Sequence, residues 1–255
     1  MRWISRAADL DPSIAVTLQR EASLDPLLAR LLAARGVRTA EEAAQFLNPS
    51  LSHLHSPYAM LGMAEAVERL SAAIVRQEKV LIYGDYDVDG TVAIVLLRTA
   101  IQICGGSADY YVPHRVRDGY GMKDEVIAEA AAAGVRLIIS VDTGIRAFTA
   151  AEAAHRAGVD LIVTDHHLPE RVEGVPRALA VLNPNQEGCS YPSKGLCGAG
   201  VAFKLAQALL ERSGHERLLP SFLKMVALAT IADSVPLTGE NRVMASLGLE
   251  GLRAP

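Results

Sequence analysis

Four short apolar runs, three of them ending in acids or histidines, constrain this chain more than any other feature. LysValLeuIleTyr at 79–83 runs into Gly84-Asp85, and 136–141 stops at Asp142. A third run, 160–163, leads to Asp165-His166-His167, and 178–182 ends in Asn183-Pro184. Runs of this length, apolar throughout and rich in β-branched residues, fit strands buried on both faces. Helical stretches at about 91–103 and 147–156 fall between them. Strands alternating with helices predict an α/β fold with a mainly parallel sheet flanked by helices and right-handed crossovers. Acids and histidines then gather at the C-terminal ends of the strands, the edge where open parallel sheets bind ligands. The pattern predicts a site before any residue is assigned a role.

The segment before the first strand reads differently. Leu24, Leu27, Leu28, Leu31 and Leu32 recur at helical spacing up to Gly36, and Thr39 with Glu42 forms a capping box for a helix through Phe46. A Pro-, Ser- and His-rich connector at 48–57 leads to a helix at 64–74. The expected organisation is a small helical region at 1–75 followed by the α/β domain at 76–255. Half of the 255 residues are hydrophobic, enough for a large core. No run is long and uncharged enough to read as a membrane-spanning helix, and no signal peptide opens the chain, so a cytoplasmic protein is expected. Cys104, Cys189 and Cys197 lack CxxC spacing and a second soft ligand nearby, which argues for reduced thiols over zinc.

The acidic loop GlyAspTyrAspValAspGlyThr at 84–91 sets Asp85, Asp87 and Asp89 at alternating positions just past a strand. Carboxylates so spaced can converge on a hard cation; a turn with solvated acids is the plain alternative. Asp85, Asp87, Asp89 and Gly90 also match the first half of a calcium EF-hand. That loop needs Glu at its twelfth position, here Leu96, and a helix before it, so the EF-hand reading fails. SerValAspThrGly at 140–144 and ThrAspHisHis at 164–167 supply further candidates. Asp233 stands in an apolar helical stretch beginning near Phe222, where an unpaired charge is costly.

Taken in order, YGDYDVDGT (83–91), SVDTG (140–144), TDHH (164–167) and LATIADSVPLTGENR (228–242) resemble the motifs of the DHH phosphoesterase superfamily. They are most similar to its branch of bacterial 5′→3′ exonucleases specific for single-stranded DNA. YYVPHR (110–115), DGYGM (118–122), VLNPNQ (181–186) and GAGVAFKL (198–205) extend the resemblance over nearly the whole chain. The resemblance implies a metal-dependent phosphodiester hydrolase acting in DNA repair and recombination. Its metal ligands would be Asp87, Asp89, Asp142, His166 and Asp233, with Asp142 bridging two ions. Asp85 and Asp165 would stand behind the ligands. His167 would face the scissile phosphate or orient a ligand without binding metal directly, and Arg115 and Tyr120 would contact DNA. One departure is His114, where the family pattern has Asn. The family continues into a substrate-binding domain and an oligonucleotide-binding fold, which are expected to be absent here.

The donors named by the resemblance suit Mn²⁺ or Mg²⁺ better than thiolate-preferring ions. Two such ions can generate a nucleophile and stabilise both oxygens of an in-line displacement. The formal charge of −4 runs against a strand-binding protein, but two bound divalent cations would offset it. GlyAlaGly at 198–200 opens a helix to about 213, where the N–H groups of Gly198 and Gly200 could receive a phosphate or merely begin the helix. Rival readings are a relative acting on short oligonucleotides or cyclic dinucleotides, and a replication scaffold without catalysis.

Overall fold

The computed structural model describes residues 11–117, 119 and 121–253, and the chain divides into two compact units, 1–53 and 54–255. In the first, α1 (Pro12–Glu21), α2 (Pro26–Ala33) and α3 (Ala40–Leu47) enclose a small core around Leu18, Ala29 and Leu32. Each helix start is specified locally. Asp11 accepts from the Ser13 N–H (2.9 Å) ahead of Pro12, and Asp25 accepts from the Leu27 N–H (2.8 Å) ahead of Pro26. Proline is preorganised for that first helical position. Thr39 and Glu42 make the expected capping box.

The larger unit begins with α4 (Met63–Val75), whose Val67, Leu70 and Ala73 are part of its main core. The expected boundary at 75 is therefore too late, because a helix cannot be divided from the core it helps to build. β1 (Lys79–Tyr83), α5 (Val88–Ile103), β2 (Ala108–Tyr111), α6 (Asp124–Ala132) and β3 (Val135–Val141) follow. Next come α7 (Phe148–Arg156), β4 (Asp160–Thr164) and β5 (Ala180–Leu182). The five strands form one parallel sheet in the order β2-β1-β3-β4-β5. Alternate side chains feed two cores. Val80, Ile82, Leu137 and Ile139 face one, Leu81, Tyr83, Ile138 and Leu161 the other, as the two-residue repeat of a strand requires.

α8 (Gly198–Arg212), α9 (Leu219–Ala232) and α10 (Gly239–Arg253) complete the unit. α8 is buried from Gly198 to Leu210, which explains its apolar character on all sides. Its one charged interior residue, Lys204, is fully buried and paired with Glu240 at 2.9 Å. The order in which strands are added reverses between β1 and β3: β2 is laid on one side of β1, and β3, β4 and β5 on the other. In a sheet of this strand order that crevice is the topological switch point, where ligands bind beyond the carboxyl ends of the strands.

Candidate metal centre

The loops that leave β1 and β3 meet at this crevice. Asp87 caps α5, accepting the Gly90 N–H at 2.9 Å, so the helix begins at Val88, three residues before the sequence suggests. Gly90 is required here, since a Cβ would lie 2.7 Å from the backbone oxygen of Asp85. Asp89, in the first turn, is 2% exposed. Its carboxylate accepts the N–H groups of Gly198 (2.6 Å) and Ala199 (2.8 Å) at the start of α8. The Gly200 N–H turns to the Cys197 sulfur at 3.4 Å. Gly198 and Gly200 thus do not offer open donors to a phosphate, as the sequence reading allowed. An internal carboxylate has taken the anion position at the positive end of the helix.

Asp142 follows β3 in the left-handed region, at φ +58°, its N–H bound to the Thr164 oxygen at 2.9 Å. A non-glycine residue there carries strain of about 1 kcal/mol or more. The result is a carboxylate, 2% exposed, packed so closely against α8 that a Cβ on Gly198 would fall 2.3 Å from its Oδ1. That Oδ1 is buried and, apart from the His166 ring beside it, has no polar partner among the described residues. His166 Nε2 lies 3.3 Å from it and 4.0 Å from Asp89 Oδ2, while His166 Nδ1 lies 3.9 Å from Asp233 Oδ2.

Asp165 builds the base of the histidine pair. Its Oδ1 accepts from the N–H groups of His166 (2.7 Å) and His167 (3.1 Å) and contacts His167 Nδ1 at 2.7 Å. Its Oδ2 accepts from the Ile145 N–H at 2.9 Å. Two residues not singled out by the sequence reading complete the hold. Asn183 Nδ2 donates to the His167 oxygen (2.8 Å) and Asn185 Nδ2 to the His166 oxygen (2.9 Å). The available signal was AsnProAsn directly after the short last strand, the same place at which the other strands carry acids.

Asp233 ends α9 as its C-cap and does not interrupt the helix. An acid at the negative end of a helix is electrostatically unfavourable unless a cation offsets it. Asp85, expected behind the ligands, stands with Asp87 and Asp142 in one of three groups whose donor atoms lie within 4.8 Å of one another. The other groups are Asp89 with His166 and Asp233, and Asp142 with His166 and His167. The Arg115 guanidinium lies 5.3 Å from the Tyr86 ring centre, above the acidic loop. Tyr120 lies outside the described residues.

Protonation reflects the crowding. Burial pushes the Asp142 carboxyl up to about 8, against the pull of His166 and with the Asp89 charge adding to the rise. Burial disfavours a charged His166, but Asp142, Asp89 and Asp233 outweigh it and raise that ring to about 9. Asp233 and Asp85 are also raised, chiefly by burial. His167 is raised mainly by its bond to Asp165. Asp165 is lowered, because the His167 ring and the backbone donors outweigh its burial. The protein alone therefore holds protons where several carboxylates and an imidazole converge. Oxygen-rich donors and a crowd of buried acids that a single imidazole offsets only in part fit one or two hard divalent cations.

The chain is similar to known proteins over nearly its whole length. The chain is 43% identical over 253 residues to the Bacillus subtilis single-stranded-DNA-specific exonuclease RecJ, covering 99% of this chain and 31% of that protein. It is 40% identical over 250 residues to the Escherichia coli protein of that name, covering 93% and 42%. It spans less than half the length of these relatives. A crystal structure of RecJ in complex with Mn²⁺ from Thermus thermophilus matches with a TM-score of 0.77 at 29% identity, over 94% of this chain and 34% of that one. The family model for the DHH family, N-terminal domain, matches residues 79–230, more than half of the chain and every motif of the cluster except Asp233, and the chain belongs to that family.

Proposed function

We propose that this chain is the metal-holding catalytic part of an exonuclease that degrades single-stranded DNA from its 5′ end, releasing mononucleotides for DNA repair and recombination in the cytoplasm. The observation that carries the reading is the convergence of Asp85, Asp87, Asp89, Asp142, His166 and Asp233 at the β1/β3 crevice. The high identity to the RecJ exonucleases supports the substrate class, and the Mn²⁺-bound structure of a relative supports the metal.

Asp87, Asp89, Asp142, His166 and Asp233 would hold two Mn²⁺ or Mg²⁺ ions. Such a pair, when bound, supplies a hydroxide nucleophile near neutral pH and Lewis acidity for an in-line displacement. His167 holds a proton towards a phosphate oxygen, and Asp165 on Nδ1 sustains its positive charge. Asn183 and Asn185 fix the backbone of the pair so that His166 turns to the acids while His167 stays half-exposed. Arg115, resting on Tyr86, offers a guanidinium to a backbone phosphate. Asp89 draws its orientation from α8, leaving no anion site at that helix for substrate.

The test is a Mn²⁺-dependent assay on strands labelled at either end. Mononucleotide release confined to the 5′ label is expected. Absence of hydrolysis with metal present defeats the reading, and products released from the 3′ label defeat the polarity.

A further inference from the structure

Two of the candidate ligands sit on segments far apart in the chain. Asp89 is held by the first N–H groups of α8, and Asp233 ends α9. Packing of α5 against α8 and α9, and the Cys197 sulfur 3.8 Å from the Thr230 hydroxyl, bring the helices together. One buried side chain also hydrogen-bonds the loops on either side. Asn241, at the start of α10 and 2% exposed, donates from Nδ2 to the Gly195 oxygen (2.6 Å) and the Pro236 oxygen (3.0 Å). Gly195 lies in the segment entering α8, and Pro236 in the turn leaving Asp233. Its Oδ1 is buried without a hydrogen-bond partner among the described residues. An amide buried with its acceptor unmet carries a penalty of about 1–3 kcal/mol, a cost consistent with the donor pair mattering.

The neighbouring residue anchors the bridge. Glu240 is fully buried and accepts from the His55 N–H (2.7 Å), Lys204 Nζ (2.9 Å) and the Tyr191 hydroxyl (2.5 Å). A buried, fully bonded charge pair resists sliding of α10 against α8, because any displacement strands a charge away from water.

We propose that Asn241 is a positioning residue that sets the spacing between Asp89 and Asp233, and so the affinity of the cation site they share with His166. This rests on the metal-centre reading above. Groups bonded directly to a ligand contribute about 10–100-fold to metal affinity, and Asn241, which acts through the backbone, belongs at the lower end of that range.

Mn²⁺ binding is to be measured by calorimetry on the full chain for wild type, Asn241→Ala and Asn241→Asp, with folding followed by circular dichroism. Asn241→Asp is nearly isosteric but cannot donate to both carbonyls, so it also reports if the alanine variant does not fold. Both are expected to bind Mn²⁺ about 10-fold more weakly than wild type, with hydrolysis recovering at saturating metal. In an Asp233→Asn background, adding Asn241→Asp should cost little more, since the residue acts through that ligand. Wild-type-like affinity in the folded single variants, or full additivity in the double variant, overturns the proposal. If wild type itself binds no Mn²⁺, the metal-centre reading fails instead, and the two failures are distinguishable.

Discussion

Asp142 and Gly198 act as one unit, since the carboxylate occupies the space where a side chain at 198 would begin. Helix propensity alone would favour Gly198→Ala, though by less than the about 1 kcal/mol of a helix interior, because Gly198 opens α8. The contact of 2.3 Å predicts the opposite effect at the site, because the new methyl must displace Asp142 or open α8. The expected outcome is a folded protein whose Mn²⁺ affinity and hydrolysis fall at least about 10-fold, the lower end of what misplaced ligand partners cost. Calorimetry beside a melting curve checks it, and wild-type binding would show that Asp142 does not need its observed place. The paired histidines divide in a related way. His166 lies among three carboxylates, whereas His167 is tied to Asp165 and half-exposed. His166→Ala should weaken Mn²⁺ binding by more than about 100-fold, beyond the range of indirect partners. His167→Ala should leave affinity nearly unchanged and lower kcat, as befits a group acting in the transition state. Equal losses of affinity in both variants would remove that division of roles.

At the scale of elements, the asparagines after β5 make a separate prediction. Asn185→Ala removes a donor to the His166 backbone without touching a candidate ligand. It should reduce Mn²⁺ affinity roughly 10-fold, at the mild end for an orienting partner, and Asn185→Asp should not restore it because a carboxylate cannot donate. Titrating both variants with Mn²⁺ decides the matter. This clamp also shows where sequence reading stops. β1, β3, β4 and the acids that end them were legible because burial on both faces leaves an unbroken apolar run that polar residues must terminate. β2 was not, since an edge strand with Asp109 and Tyr110 exposed has no such run. The metal-site candidates were readable from their positions after strands, and the family motifs named them. The partnership of Asp89 with α8 was not, since it joins residues 109 apart through backbone donors that any sequence possesses. Asp233 was visible as a misplaced charge, but its position at the end of α9 depends on the Pro236–Asn241 turn, which no periodicity reports.

For the whole molecule, the cluster links stability to both metal and pH. In the metal-free protein, the Asp142 carboxyl rises from 3.8 to about 8, so its ionisation costs stability progressively as pH climbs through that interval. His166 rises from 6.5 to about 9; its contribution is complete below about 6.5 and is lost as pH rises through about 9. Both groups act in the same direction, and metal-free protein should melt at lower temperature as pH is raised from about 6 to about 8.5. A divalent cation must displace these protons, so its binding strengthens over the same range. At a hundredfold excess over Kd, a ligand specific for the folded state contributes about 2.7 kcal/mol, and a chain of this size gains roughly 2–4 °C per kcal/mol. Saturating Mg²⁺ or Mn²⁺ should therefore raise Tm by roughly 5–10 °C at the alkaline end and by much less at the acidic end, with a chelator reversing the gain. Asp142→Asn should remove most of the pH dependence and most of the metal response together. The decisive measurement is differential scanning calorimetry of wild type and that variant across pH, with chelator or with metal. A metal-induced shift that is the same at both pH values would mean that the cation binds somewhere other than among Asp142, His166 and Asp233.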